Sequence, residues 1–166
     1  NYWKGGNPKG NLTYGWGKML TRSEADSFLK SGKTLSEQEA ETMLKDHVWD
    51  ASGPLRNSVR EPGYDRLVIP FLLSQGQFDA LTSIIYNAGS TNFQSSDLYR
   101  KYISQGNPEE ADYNVFEKTC VDETDSGQKG LKKDGEGKDN LDFGRRDRES
   151  MMFQHGTYKT SNGKFL

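Results

Sequence analysis

The chain has 166 residues, a length that suits one domain with its own hydrophobic core. Its 22 Lys and Arg residues nearly balance its 24 Asp and Glu residues, and a net charge of −2 does not favour a nucleic-acid-binding protein. Only 32% of the residues are hydrophobic, but 11% are aromatic, which supplies large side chains for a core. We therefore expect one folded domain, without a nucleic-acid partner.

The single cysteine, Cys120, excludes an internal disulfide, and with His47 and His155 it does not form the spacing of a zinc site. The apolar run at 67–73 contains Pro70 and is far shorter than the ~20 residues that span a bilayer. We expect no metal, no cofactor, no transmembrane helix, no membrane partner and no signal peptide.

The acidic residues are unevenly distributed along the chain. All 24 lie at or after Glu24, so the first 23 residues contain four cations and no carboxylate. Any chemistry that needs a carboxylate in this first segment is therefore in question.

The first half of the chain predicts a β segment followed by two helices. Residues 1–20 are rich in Gly and Asn, and bulky residues alternate with small ones at 12–17, which favours a small, twisted β region. Capping boxes at 21–24 and 36–39 predict a short helix and a longer one, whose apolar stripe reaches Val59. Because an interior proline removes a backbone donor, Gly53-Pro54 predicts a kink or a break.

The second half predicts further helices and one loop. A capping box at 74–77 opens the most hydrophobic helix, which is expected to end at Gly89. Another helix is expected around 98–103, and Asn107 is predicted to cap a helix with Pro108 at its first position. Residues 121–140 alternate Lys, Asp, Glu and Gly, which predicts a long solvated loop before a terminal helix at 141–158.

Three segments resemble the phage-type lysozymes, the muramidase family of the T4 and lambdoid endolysins and related bacterial toxin domains. They are GNLTYGWG at 10–17, QGQFDALTSIIYNAG at 75–89 and RRDRE at 145–149, and GKTLSEQEA at 32–40 resembles the start of the family's linking helix. The 75–89 segment, taken alone, is also explained by its capping box and its core stripe. Three matches in the family's order make the resemblance specific.

The resemblance implies an α+β, lysozyme-like fold. A small N-terminal β lobe would occupy 1–34, a linking helix 35–60 and a helical lobe 61–166, with the hydrophilic loop at 121–140. A polysaccharide groove would lie between the lobes, and the family's first helix is expected upstream of residue 1.

The resemblance also implies a site. Inverting cleavage of a glycosidic bond needs an acid at the leaving oxygen and a group that holds water on the opposite face. The family uses a Glu, an Asp and a Thr for this: Thr13 matches the Thr, whereas Asn7, or Lys4 in another alignment, stands at the Asp position. The Glu is expected upstream of residue 1, as in a truncated chain, and true loss of the acid is the alternative.

Other residues match positions that bind substrate or support the catalytic Glu in the family. Those that would bind substrate are Tyr14, Gly15, Gly17, Gln77 and Asn87, and those that would support a catalytic Glu are Arg145 and Arg146. Gln77 is equally explained as a capping residue, and Tyr14 as part of a lobe core. At least one of the two arginines is equally explained as part of a solvated helix face, and Cys120 lacks a histidine base and is not expected to be a nucleophile.

The expected activity is hydrolysis of the N-acetylmuramic acid to N-acetylglucosamine β-1,4 bond of peptidoglycan, by a monomer acting on the bacterial cell wall in the periplasm. The alternative is a peptidoglycan-binding module that has lost the acid. A phage endolysin, a bacteriocin and a secreted antibacterial effector would share this sequence pattern. The effector interpretation would add an immunity protein as a partner.

Overall fold

The computed structural model describes residues 13–14, 18–32, 34–59, 67–120 and 145–158, with the backbone alone at the four residues in strands. The chain divides into two compact units, Asn1–Asp50 and Ala51–Leu166. The lobe boundaries predicted after residues 34 and 60 stay predictions. Within the described ranges, the helices are too short or too polar to cross a bilayer.

The strands of the first unit are very short. β1 (Thr13–Tyr14) pairs antiparallel with β2 (Lys18–Met19), and this pairing forms a two-stranded sheet. The expected α+β class with an N-terminal β lobe is therefore wrong, because two residues per strand cannot cover a core. The described residues are mostly helical, and α1 (Arg22–Ser31) lies inside the range predicted as the β lobe.

Both predicted capping boxes of the first unit are present. The backbone N–H of Glu24 donates to the Thr21 hydroxyl at 3.3 Å, and the backbone N–H of Thr21 donates to the Glu24 carboxylate at 2.8 Å. In the second box, the backbone N–H of Glu39 donates to the Ser36 hydroxyl at 3.2 Å, and the backbone N–H of Ser36 donates to the Glu39 carboxylate at 3.0 Å. Each box satisfies two backbone donors that a helix start leaves unpaired, so α1 begins where its sequence predicts.

α2 (Glu37–Arg56) runs for 20 residues with Pro54 inside it, so the predicted break at Gly53-Pro54 is wrong. Pro54 lies in the last turn, which Asn57 closes by donating its N–H to the Gly53 carbonyl at 2.9 Å. The helix also ends before Val59, where the apolar stripe was predicted to reach. Val59 instead forms a parallel bridge with Val68.

The second unit contains the main hydrophobic core. α3 (Gln75–Ala88) begins at the predicted capping box of Ser74 and Gln77 and ends at Gly89, whose N–H donates to the Ile85 carbonyl. Its apolar face lies at the centre of the core. The buried core residues are Leu55, Leu67, Ile69, Ala80, Leu81, Ile84, Ile85, Phe93, Leu98, Ile103, Ala111, Phe116 and Phe153.

Short elements lead from α3 to the C-terminal helix. They are α4 (Ser90–Ser95), a π-helix (Leu98–Ile103), a 3₁₀ turn (Pro108–Glu110) and α5 (Tyr113–Lys118), and they are followed by α6 (Arg145–His155). The helix expected around 98–103 is therefore present as a π-helix, and α6 lies within the predicted 141–158.

Asn107 occupies the predicted N-cap position with Pro108 in the first turn, but the element is a short 3₁₀ turn and the Asn107 side chain makes no capping bond to it. Asp112 is the residue that caps a helix here, since its carboxylate accepts the backbone N–H of Val115 at 3.1 Å. An acidic side chain at this position is also favoured by the dipole at the start of α5.

The backbone at the C-terminal end of α6 lies close to α3 at Gly76. A Cβ atom at this position would lie 2.3 Å from the Met152 carbonyl oxygen and 2.9 Å from Gly156 Cα. Both are backbone atoms, which cannot move away by a rotamer change as side-chain atoms can. The absent side chain at Gly76 therefore sets the separation of the two helices.

We predict that Gly76→Ala lowers the free energy of unfolding by about 2–3 kcal/mol, because the added methyl group forces α6 away from α3. Gly53→Ala is the matched control, since a Cβ there meets only the end of the Arg56 side chain at 3.7 Å. Urea denaturation checks both variants, and equal stability of Gly76→Ala and wild type would contradict the close approach.

Candidate functional site

A buried arginine lies at the start of α6. Arg146 is 0% exposed and uses each nitrogen of its guanidinium. Nη1 forms an ion pair with Glu149 Oε2, Nε donates to the Thr119 carbonyl at 2.9 Å, and Nη2 donates to Asn87 Oδ1 at 3.2 Å. These bonds connect α6 with α3 and with the end of α5.

Glu149, one turn further along α6, is 1% exposed and completes the arrangement. Its second oxygen, Oε1, accepts the Ser83 hydroxyl at 2.6 Å. Burial raises the pKa of Glu149 above its ordinary value, while the charge of Arg146 and the Ser83 hydroxyl oppose that rise. We call Ser83, Asn87, Thr119, Arg146 and Glu149 the Arg146 cluster.

The sequence explains why these side chains meet. Ser83 and Asn87 are four residues apart on α3, and Arg146 and Glu149 are three apart on α6, so each pair lies on one helix face. The close approach at Gly76 brings those two faces together. The cluster therefore forms because helix periodicity places each pair on one face and because Gly76 lets the two helices pack closely.

A second contact fixes the same turn of α6. The Tyr113 hydroxyl, at the start of α5, donates to Asp147 Oδ1, and Asp147 is 5% exposed. Burial raises the pKa of Tyr113, and the hydrogen bond to Asp147 raises it further. Two bonds therefore hold α5 to the first turn of α6. Tyr113 at the start of α5 bonds Asp147, and Thr119 just after the end of α5 bonds Arg146.

Cys120 lies directly after α5 with a positive φ of 53°, which is uncommon for a residue other than glycine. Burial raises the pKa of its thiol, and the nearby Arg146 lowers it. The expectation that Cys120 is not a nucleophile stays a prediction. In the described part of the chain, no three His, Cys, Asp or Glu residues form a metal site.

The structure brings together some of the predicted site residues. Asn87 and Arg146 meet in the Arg146 cluster, while Arg145 is half-buried beside it. Gln77 accepts the backbone N–H of Ser74 at 2.9 Å, as its capping interpretation predicts. Thr13 and Tyr14 are described by backbone alone, and Asn7, Gly15 and Gly17 lie outside the described residues.

Sequence reasoning missed Glu149, Ser83 and Thr119 as members of the cluster. Glu149 carries a readable signal, since a carboxylate three residues after an arginine lies on the same helix face. Ser83 and the Thr119 carbonyl have no comparable signal, because their roles depend on how α3 and α5 meet α6.

Comparison with known proteins identifies the family. The profile of the family described as "Phage lysozyme" matches residues 4–134, and the chain therefore belongs to that family. The matched range contains Thr13, Ser83 and Asn87 and ends before α6. No solved structure matches the chain.

One curated relative is the "Endolysin" of Acyrthosiphon pisum secondary endosymbiont phage 1. It is 27% identical over 73 residues, a stretch that covers 44% of this chain. The same stretch covers 43% of the relative, so the match spans less than half of that endolysin's length.

We predict that Glu149→Met lowers the free energy of unfolding by about 3–5 kcal/mol, because the always-charged Arg146 is left buried without its ionic partner. Replacing both residues by methionine should restore part of that loss, since the buried charge is then absent as well. Denaturant unfolding measures both effects.

Asp97→Ala is the control for this prediction. Asp97 pairs with Lys101 at 2.7 Å on the surface, where both side chains are more than 60% exposed, so its loss should change stability little. Equal destabilisation by Asp97→Ala and Glu149→Met would contradict a special role for the buried pair.

Proposed function

We propose that the chain is a peptidoglycan hydrolase of the muramidase type, which cleaves the β-1,4 bond between N-acetylmuramic acid and N-acetylglucosamine with inversion. The observation that carries this proposal is the phage lysozyme match over residues 4–134, which contains Thr13 and all of α3. The curated endolysin relative supports the same substrate class.

In the proposed mechanism, Thr13 positions the attacking water. Its hydroxyl can accept a hydrogen bond from that water and donate one at the same time. Asn7 stands where the family has a carboxylate and can hold the water through its amide oxygen. Because Asn7 cannot act as a base, the proton that the water loses as it attacks the anomeric carbon passes to solvent. The acid that protonates the leaving oxygen is a glutamate about fifteen residues before Thr13, a position before residue 1 of the printed sequence.

The described residues support roles in substrate binding on α3. Asn87 is exposed and uses Oδ1 to accept from Arg146, so its Nδ2 group can donate to an acetamido or hydroxyl oxygen of a glycan. Gln77 likewise uses Oε1 in its capping bond and keeps Nε2 for a ligand. Tyr14, Gly15 and Gly17 are proposed to contact the glycan as well.

Arg146 and Arg145 are proposed to support the catalytic glutamate, the role that the family resemblance gives them. The five-part Arg146 cluster fixes the guanidinium of Arg146 by three separate bonds, so Asn87 is presented in one orientation. Arg145 is half-buried next to Arg146 and adds positive charge there.

A specific observation favours a second candidate function. The first 23 residues contain no Asp or Glu, and Asn7 stands where the family has a carboxylate. A peptidoglycan-binding module that has lost the acid would have this pattern. Such a module would bind cell walls and release no sugar reducing ends.

The proposal includes a biological setting. We infer that the protein is a monomer that acts on the cell wall in the bacterial periplasm, after phage release, export or delivery as an antibacterial effector or bacteriocin. The hydrophilic sequence at 121–140 supports the delivered toxin over a plain endolysin. An immunity protein would then be its partner.

We predict that Thr13→Ala in the full-length protein slows clearing of purified cell walls about 10²–10⁴-fold, the range for loss of a group that assists the attacking water. Thr42→Ala on α2 is the control, because Thr42 is exposed and lies more than 20 residues away in sequence from every proposed site residue. A turbidity assay measures the rates.

Equal clearing by wild type and Thr13→Ala would remove the proposed role of Thr13. Wall binding by the wild type without release of reducing ends would favour the binding module over the enzyme.

A further inference from the structure

The hydrogen bonds of the Arg146 cluster form a chain that begins and ends on α3. The Ser83 hydroxyl donates to Glu149 Oε1 at 2.6 Å, and Arg146 Nη1 pairs with Glu149 Oε2. Arg146 Nη2 then donates to Asn87 Oδ1 at 3.2 Å, one turn beyond Ser83 on α3. Arg146 and Glu149 are buried, and Asn87 is the exposed member of the cluster.

Arg146 determines which end of the Asn87 amide faces the solvent. A guanidinium has five N–H donors and no acceptor, so only the amide oxygen of Asn87 can face it. The reverse orientation would leave Nη2 of a buried cation unpaired, which is costly. Asn87 Nδ2 therefore points away from Arg146, and within residues 67–120 and 145–158 it donates to no protein acceptor.

The guanidinium of Arg146 is itself held in one orientation. Nε donates to the Thr119 carbonyl at 2.9 Å and Nη1 pairs with Glu149, so two further bonds fix the plane that contains Nη2. Ser83 occupies the second oxygen of Glu149. The cluster therefore presents a hydrogen-bond donor of fixed direction at the surface, and not an amide that can turn over.

A fixed donor selects ligands by their ability to accept. A hydroxyl group both donates and accepts, so it can bond an amide in either orientation and gains little from a fixed one. A carbonyl oxygen only accepts, so it bonds Nδ2 and cannot bond Oδ1. An ammonium group only donates, so it cannot bond Nδ2. The arrangement at Asn87 thus favours a carbonyl group and disfavours an amine that carries a proton.

We propose that Asn87 determines specificity for N-acetylated glycan by donating from Nδ2 to the carbonyl oxygen of an acetamido group. This inference rests on the proposed function for its substrate class. Both sugars of a peptidoglycan strand carry an acetamido group, and removal of the acetyl group leaves an amine, which takes up a proton in mildly acidic buffer. Ser83 and Glu149 are positioning residues, because they act on the ligand through Arg146 and Asn87.

Binding by the wild type is the first measurement. The probes are short, soluble glycan strands of peptidoglycan without peptide stems, either N-acetylated, enzymatically de-N-acetylated, or acetylated again with acetic anhydride. Each is titrated into the ¹⁵N-labelled full-length protein in mildly acidic buffer, in the cold to limit cleavage. We expect both acetylated forms to shift the side-chain amide signals of Asn87 and to bind about tenfold more tightly than the deacetylated form.

Asn87→Asp changes the exposed group and keeps the bond to Arg146. One carboxylate oxygen still accepts from Nη2, but the group that faces the ligand becomes a negatively charged acceptor. We expect this variant to bind N-acetylated strands about tenfold more weakly than the wild type and de-N-acetylated strands more tightly. Asn57→Asp is the matched control, because it makes the same change at an exposed asparagine outside the cluster and should keep the wild-type preference.

Ser83→Ala tests the positioning role. It removes the hydroxyl that donates to Glu149 and leaves Asn87 in place, so the preference for N-acetylated strands should fall about threefold. Ser83→Thr keeps a hydroxyl and should restore the preference. A purely structural role for Ser83 would lower stability and leave the ratio of the two Kd values unchanged, and that result would remove the positioning role.

The outcomes separate this inference from the proposed function. Unshifted Asn87 signals, or equal Kd values of the wild type for acetylated and deacetylated strands, overturn the specificity role whether or not the protein is active. These results need no variant, so misfolding of a variant cannot hide them. A wild type that prefers N-acetylated strands through Asn87 and hydrolyses none keeps the specificity role and refutes the hydrolase.

Discussion

The buried ion pair between Arg146 and Glu149 joins three helices of the second unit. Arg146 bonds α3 through Asn87 and the end of α5 through Thr119, while Glu149 bonds α3 through Ser83. Taking two charges out of water is costly, and apolar residues of the same size would serve stability as well. We infer that the pair serves to orient side chains, and the one that it orients at the surface is Asn87.

Local signals in the sequence predicted the helix starts well. The capping boxes at Thr21, Ser36 and Ser74 all form, because their bonds are made within four residues and need no tertiary contact. The same local reasoning failed at Pro54, which α2 tolerates two residues before its end. It failed also for the β lobe, because the two strands that pair there are only two residues long and a helix begins at Arg22.

The candidate site was predictable only in part. Asn87 and Arg146 came from a family pattern, and the structure joins them by a hydrogen bond. Ser83 and Thr119 could not be found from sequence, because a serine in a helix and a backbone carbonyl acquire a role only when another helix is packed against them.

We propose that this member of the phage lysozyme family cleaves the β-1,4 bond between N-acetylmuramic acid and N-acetylglucosamine with inversion. Mass spectrometry of the fragments released from purified peptidoglycan, with NMR of the first anomer formed, tests it most directly. We predict fragments that end in reducing N-acetylmuramic acid, formed first as the α anomer because the β bond is inverted. Fragments that end in reducing N-acetylglucosamine or in an anhydro sugar, or a β anomer formed first, would contradict it.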